Sequence, residues 1–261
     1  MGARSRATQS HETLALVLRR TPYGEADLVV SLFTKSMGRV SALARAARKS
    51  QRRFGGSLEP FNTLEARLEE ASTGADLLKL TEARVVTARV HLLEHLPSME
   101  AAGNFLNWIR HAAPEHTPEP TLWELCQSCL DELDAAARDR VRTSPVASAV
   151  RPASAPPPSS TLSLASHGLR LLVACGWRLE LERCVQSGVR CPEGKAAMVD
   201  PERGGLVSQA RGGAPFSVTG PARRRLIAAQ AGASNALTEA DAELGLQLVE
   251  RTLRAHAGLV R

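Results

Sequence analysis

Between Leu28 and Leu58 the chain carries Lys35, Arg39, Arg45, Arg48, Lys49, Arg52 and Arg53 and no acidic residue. Seven unopposed cations in so short a span attract phosphate oxygens, and their affinity for a polyanion falls steeply with salt as counterions are released. If residues 39–45 form a strand, Arg39 and Arg45 point to the same side, about 20 Å apart at a rise of ~3.3 Å per residue, and can follow a phosphate track. Residues 46–56 add Arg48, Lys49, Arg52 and Arg53 on a flexible arm ending in Gly55-Gly56.

Other spacings point to different chemistry. Cys126-Gln127-Ser128-Cys129 is a C-x-x-C, but Leu122, Leu125, Cys129 and Leu133 share a helical face and no second pair completes a site, so packing is the expectation. His91-Leu92-Leu93-Glu94-His95 has the H-x-x-E-H spacing of inverted zinc peptidases. On a helical wheel Val85, Val86, Leu92, Leu93 and Leu96 lie opposite the two histidines, which places the imidazoles on a solvated face instead of in a catalytic cleft. Arg223-Arg224-Arg225 follows Pro221 at a helix start, as an exposed cluster that either extends a polyanion path or meets an acidic tail. Gly204-Gly205 and Gly212-Gly213 lack the strand-to-helix setting of a phosphate loop and are read as turns. Trp108 and Trp123 sit in amphipathic stretches and are expected in the core.

The whole chain fits this electrostatic emphasis. Its 261 residues carry 33 basic and 27 acidic side chains, a net charge of +6, and 29 of the basic residues are Arg. Arg forks match phosphate oxygens. Only 5 Phe, 3 Trp and 1 Tyr are present, so contact with a sugar-phosphate backbone is favoured over stacking platforms. No apolar run reaches 18 residues and no signal-peptide core follows Met1, so a cytoplasmic protein without a membrane segment is expected. Five cysteines, an odd number, are read as reduced thiols or metal ligands.

The elements that must position the cations change character along the chain. Up to about residue 85 the sequence alternates in short runs closed by turn signals: Thr13 to Arg19, Asp27 to Thr34, a third run from Arg39, a fourth from near Leu58 and a fifth over about Asp76 to Val86. Thr63 to Ala71 is good helix material by propensity, and Leu64, Ala66 and Leu68 also fit alternation. Five strands in so few residues predict a small barrel. Beyond residue 86 the period is helical, over Thr87–Leu96, Ser98–Ala113, Leu122–Arg140, Leu162–Cys175, Pro221–Ala231 and Glu239–Leu259. Capping-box patterns stand at Thr121 with Glu124 and at Thr238 with Asp241. The Pro-, Ala- and Ser-rich stretch 143–161 reads as a disordered connector.

The ordered motifs of the N-terminal part resemble one family. The run Tyr23-Gly24-Glu25-Ala26-Asp27-Leu28-Val29-Val30-Ser31-Leu32-Phe33-Thr34, then Gly38, then Ala44-Arg45-Ala46-Ala47-Arg48-Lys49-Ser50, then Leu58-Glu59-Pro60-Phe61, is similar to the N-terminal domain of the bacterial recombination mediator RecO family. The likeness continues more faintly to Gly176-Trp177 and Cys184-Val185. It implies an α+β protein, with a five-stranded oligonucleotide-binding (OB) fold over residues 1–85 and an all-helical domain over 86–261, and it favours a strand at Thr63–Ala71.

The resemblance also implies a function that is not enzymatic. Such proteins act in the RecF pathway, bind single- and double-stranded DNA, anneal complementary strands and, with RecR, help RecA displace single-strand-binding protein (SSB), whose acidic C-terminal tail is a further partner. Annealing needs charge neutralisation that leaves the bases free to pair. The DNA-binding candidates are Lys35, Arg39, Arg45, Arg48, Lys49, Arg52 and Arg53. A protein adaptor whose basic arm engages an acidic tail is the alternative, and a zinc hydrolase a third.

The family's four-cysteine zinc module is degenerate here. Its first C-x-x-C reads Cys184-Val185-Gln186-Ser187, and its G-G-x-x-C-x-x-C reads Gly204-Gly205-Leu206-Val207-Ser208-Gln209-Ala210-Arg211. Cys191 is nearby but off register. Structural zinc needs four N or S ligands in tetrahedral array, so segment 184–213 is expected to keep its path without metal or other cofactor.

Overall fold

The structure, a computed structural model, describes residues 10–70, 77–143, 158–233 and 235–259. Of the connector expected over 143–161, residues 144–157 lie outside these, as do Ala71 and Asp76 at the edges of two expected strands.

Five strands, β1 (Ser10–Tyr23), β2 (Asp27–Thr34), β3 (Gly38–Ala44), β4 (Thr63–Glu69) and β5 (Leu77–Thr87), close into a barrel in the order β1-β2-β3-β5-β4, with β4 returning to β1. This is the expected five-stranded, OB-like barrel. The β3–β5 pairing is parallel and all the others are antiparallel. Alternation sends Ala15 and Val17, Val30 and Leu32, Val40 and Ala42, and Leu64, Ala66 and Leu68 into the interior. β4 overrides its helical propensity because its other face forms cross-strand ion pairs: Glu65 with Arg84, Arg67 with Glu12 and Glu69 with Lys79. The fourth strand begins at Thr63, later than expected. Leu58 instead joins the core beside Phe54 of the one-turn helix α1 (Gln51–Phe54).

Five longer helices follow: α2 (Leu96–Ala112), α3 (Pro120–Thr143), α4 (Ser160–Ala174), α5 (Gly220–Gln230) and α6 (Glu239–Ala257). The helix expected over Thr87–Leu96 does not form. Val85 and Thr87 are taken by pairing with Leu64 and Thr63, and only a 3-10 turn, Val90–Glu94, remains. Nor does Thr121 cap α3, which starts one residue earlier on Pro120, a residue suited to the first helical position. The second capping pattern is formed, with Thr238 N–H donating to Asp241 Oδ2 at 2.9 Å. Trp108, Trp123, Cys126 and Cys129 are buried. The part expected to be all-helical, with loops over 184–213, instead carries a small sheet of β6 (Glu180–Cys184), β7 (Ala197–Asp200), β8 (Gly205–Leu206) and β9 (Phe216–Val218), ordered β6-β8-β7-β9.

Contacts divide the chain into two compact units, residues 1–90 with 113–123, and residues 91–112 with 124–261. Within the first, segment 113–123 lies along the start of β3: Arg39 N–H donates to Pro114 O at 3.2 Å and His116 N–H to Arg39 O at 3.0 Å. Gly38 has φ +67, and a Cβ there would overlap the Thr117 carbonyl, so this approach needs glycine. No described helix is long and apolar enough to cross a membrane.

Candidate nucleic-acid interface

Five of the seven candidate cations come together at one end of the barrel. β3 stops at Ala44, and the chain turns back onto the β1–β2 connection: Ala46 N–H donates to Asp27 Oδ1 at 2.7 Å and Arg48 N–H to Ala26 O at 3.0 Å. The Arg48 guanidinium reaches Glu25 O at 3.2 Å. Ser50 caps α1, accepting from Arg53 N–H at 3.4 Å, and the Arg53 guanidinium donates to Arg45 O at 2.9 Å and lies 5.3 Å from the Phe54 ring centre. The stretch expected as a flexible arm is therefore a hydrogen-bonded turn followed by one helical turn, because Asp27 and Ser50 satisfy backbone donors that a loose loop would leave to water. Arg45, Arg48, Lys49 and Arg52 stay exposed.

The strand face expected to carry both Arg39 and Arg45 ends before it reaches Arg45. Arg39 does point outward with Ser41 and Leu43, but Arg45 lies beyond the strand. Arg39 is also engaged internally, with Nη2 3.0 Å from Glu115 Oε1 and Nε donating to Ala113 O at 3.2 Å. Lys35, exposed in the β2–β3 turn, is at the opposite end of β2 from Arg48, about 25 Å away at ~3.3 Å per residue.

Charge pairing distinguishes these five cations from most others on the barrel surface. Arg67, Arg84 and Lys79 all face carboxylates across β1, β4 and β5, and Arg20 is held by Glu59 at 2.6 Å. Among the described residues no carboxylate pairs with Arg45, Arg48, Lys49, Arg52 or Arg53. One further outward cation, Arg19 on β1, is exposed and in register with Ser31 of β2, which faces Ser41 of β3. It lies outside the acid-free window that singled out the others, and the β-bulge between Val17 and Arg19 breaks the alternation that would have placed it.

The remaining motifs resolve structurally. His91 and His95 do not share a helix: His91 Nδ1 is 3.2 Å from Glu94 Oε2, His95 Nδ1 is 2.8 Å from Ser98 Oγ, and Leu93 and Leu96, expected inside, are exposed. The arginine triplet splits. Arg223 is buried, donating to Leu181 O at 3.0 Å and to Pro192 O, while Arg225 grips Asp241 at 2.6 and 2.8 Å, and only Arg224 is exposed.

In the segment expected as a degenerate zinc module, Gly205 lies so close to the Glu180 backbone that a Cβ would overlap it. Cys184 is buried, its Sγ accepting from Ser208 N–H at 3.4 Å. The Ser187 hydroxyl, followed by the Ser208, Ser187 and Gln186 amides, lowers the Cys184 pKa to about 6. Cys184 and Cys191 line a cavity of about 440 Å³ together with Met198 and Ser208. One thiol, two hydroxyls and a guanidinium, at the four positions the resemblance pointed to, do not make a zinc site. Among the described residues no three His, Cys, Asp or Glu side chains are arranged to hold a metal.

Comparison with known proteins agrees with this architecture. Residues 9–89 match the family described as "Recombination protein O N terminal". A DNA repair protein RecO from Anaeromyxobacter sp. (strain K) is 36% identical over 200 residues, covering 77% of this chain and 70% of that one. RecO proteins of Geobacter sulfurreducens and Syntrophotalea carbinolica are 32% and 35% identical over 178 and 120 residues, covering 68% and 46% of this chain and 63% and 46% of theirs. A five-stranded barrel under the matched segment and sequence identity extending well into the helical unit lead to one assignment: the chain belongs to the RecO family of DNA repair proteins.

Proposed function

We propose that the chain is a DNA-binding recombination mediator that takes the phosphates of single- and double-stranded DNA on the barrel end built by Arg45, Arg48, Lys49, Arg52 and Arg53. One observation carries the reading: these five cations are gathered beside the β1–β2 turn without carboxylate partners among the described residues, whereas Arg67, Arg84 and Lys79 are paired. A surface that neutralises phosphates without reading base edges lowers the repulsion between two strands and leaves them free to anneal. Cooperation with RecR in loading RecA onto SSB-coated DNA, and contact with the SSB tail, complete the proposed role. No bond-making chemistry is assigned.

The test is binding of labelled single-stranded DNA by the purified chain across a salt series. Five phosphate contacts predict a slope of about −3.5 for log K against log [salt], at ~0.7 per contact. No association at low salt would favour the adaptor reading instead.

A further inference from the structure

The chain contains nine aromatic rings, and the structure describes all of them. Phe33, Phe54, Phe61, Phe105, Trp108 and Trp123 are buried, and Phe216 and Trp177 are half-buried. Tyr23, by contrast, is 61% exposed. Leaving a large ring in water forgoes the gain of burying it, so its placement matters.

Tyr23 closes β1 directly opposite Asp27, the residue whose carboxylate holds Ala46 N–H at 2.7 Å. Two residues beyond Tyr23, the Glu25 carbonyl accepts from the Arg48 guanidinium at 3.2 Å, and the Ala26 carbonyl accepts from Arg48 N–H at 3.0 Å. The exposed ring and the Arg45–Lys49 cations are thus mounted on one hydrogen-bonded support. A ring beside a cationic track is the arrangement that binds an unpaired strand, with bases on the aromatic face and phosphates on the cations.

We propose that Tyr23 is a base-stacking residue that makes this barrel end prefer single-stranded over duplex DNA. The inference rests on the DNA-binding reading above and adds the strand preference. Every base has a π-face, so the contact is indifferent to sequence. In a duplex those faces are already covered by neighbouring base pairs, and Tyr23 has nothing to stack on.

The experiment compares the full chain with Tyr23→Ala, Tyr23→Trp and Arg48→Ala variants on three labelled probes at fixed salt. These are a single-stranded oligothymidine, the same backbone with abasic sites, and a duplex closed at both ends by non-nucleotide linkers. Tyr23→Ala is expected to lose about tenfold in affinity for the oligothymidine and less than twofold for the other two probes, with Tyr23→Trp retaining wild-type binding. Arg48→Ala should weaken all three. Unchanged oligothymidine binding by Tyr23→Ala, or an equal loss on all three probes, overturns the stacking role while leaving the phosphate surface standing. Failure of the wild-type chain to bind any probe overturns both readings.

Discussion

Arg39 and Glu115, 76 positions apart in sequence, form a 3.0 Å ion pair that fastens the segment after α2 to the rim of the barrel. With its Nε bound to Ala113 O, the Arg39 guanidinium is a strap, not a free phosphate ligand. Arg39→Ala is expected to cost about 1 kcal/mol of stability, the scale of a partly exposed pair plus one charge-assisted hydrogen bond. DNA affinity should change by less than about twofold. Urea midpoints and binding isotherms on the same variant decide the matter, and a large affinity loss at unchanged midpoint would return Arg39 to the interface.

Arg48→Ala, Lys49→Ala and Arg52→Ala should each weaken binding alike for all base sequences. Each should flatten the salt slope on single strands by about 0.7. Their side chains are exposed, so thermal midpoints are expected to stay near wild type. A slope that stays unchanged in all three variants would remove this cluster from the phosphate surface.

Asp241 carries an acid-stability prediction. The Arg225 guanidinium, and after it Thr238, lower its carboxyl pKa from 3.8 to about 2. The folded pKa lies below the unfolded one, so the contribution is complete above about pH 4 and is lost as pH falls through about 2. Its size is on the order of 2 kcal/mol. Asp241→Asn should lower stability at neutral pH and flatten the acid limb of the stability curve between those values. An acid limb identical to wild type would show that Arg225 is not holding a charged partner.

Cys184 should be a thiolate near neutral pH. Its pKa of about 6, against an ordinary 9.0, predicts that thiolate ultraviolet absorbance, taken as the difference between the native chain and Cys184→Ser, reaches half its plateau near pH 6. Ser187→Ala removes the strongest stabilising donor and should shift that midpoint upward. A native midpoint near 8.5 would contradict the hydrogen-bonded sulfur geometry.

Local pattern was enough to read β2 over Asp27–Thr34, a short apolar run closed by turn signals, and the longer helices, where the apolar stripe persists. The β4 segment could be read either way until its partners were known. Glu65, Arg67 and Glu69 look like helix formers, and only the opposing Arg84, Glu12 and Lys79 make them a strand face. Likewise, Thr87 looks like the start of an amphipathic helix because the pairing that carries β5 through it is invisible in a linear window. The cationic cluster was visible as composition, but its geometry was not. Separating Arg45 from Arg39 required the end of β3 at Ala44 and a carboxylate from residue 115. Arg223 gave no sign in sequence of its burial among backbone carbonyls, since nothing local distinguishes it from exposed Arg224.

The return of residues 113–123 to the barrel has a bearing on biosynthesis. Phe33 is fully buried, with its ring 5.8 Å from that of Trp123, so a nascent chain that has emerged only as far as residue 90 has all five strands but a wet phenylalanine on its outer wall. The ribosome must deliver the first turn of α3 before the barrel's surface is finished, and a fragment cut at the end of β5 should be stickier than its strand content implies.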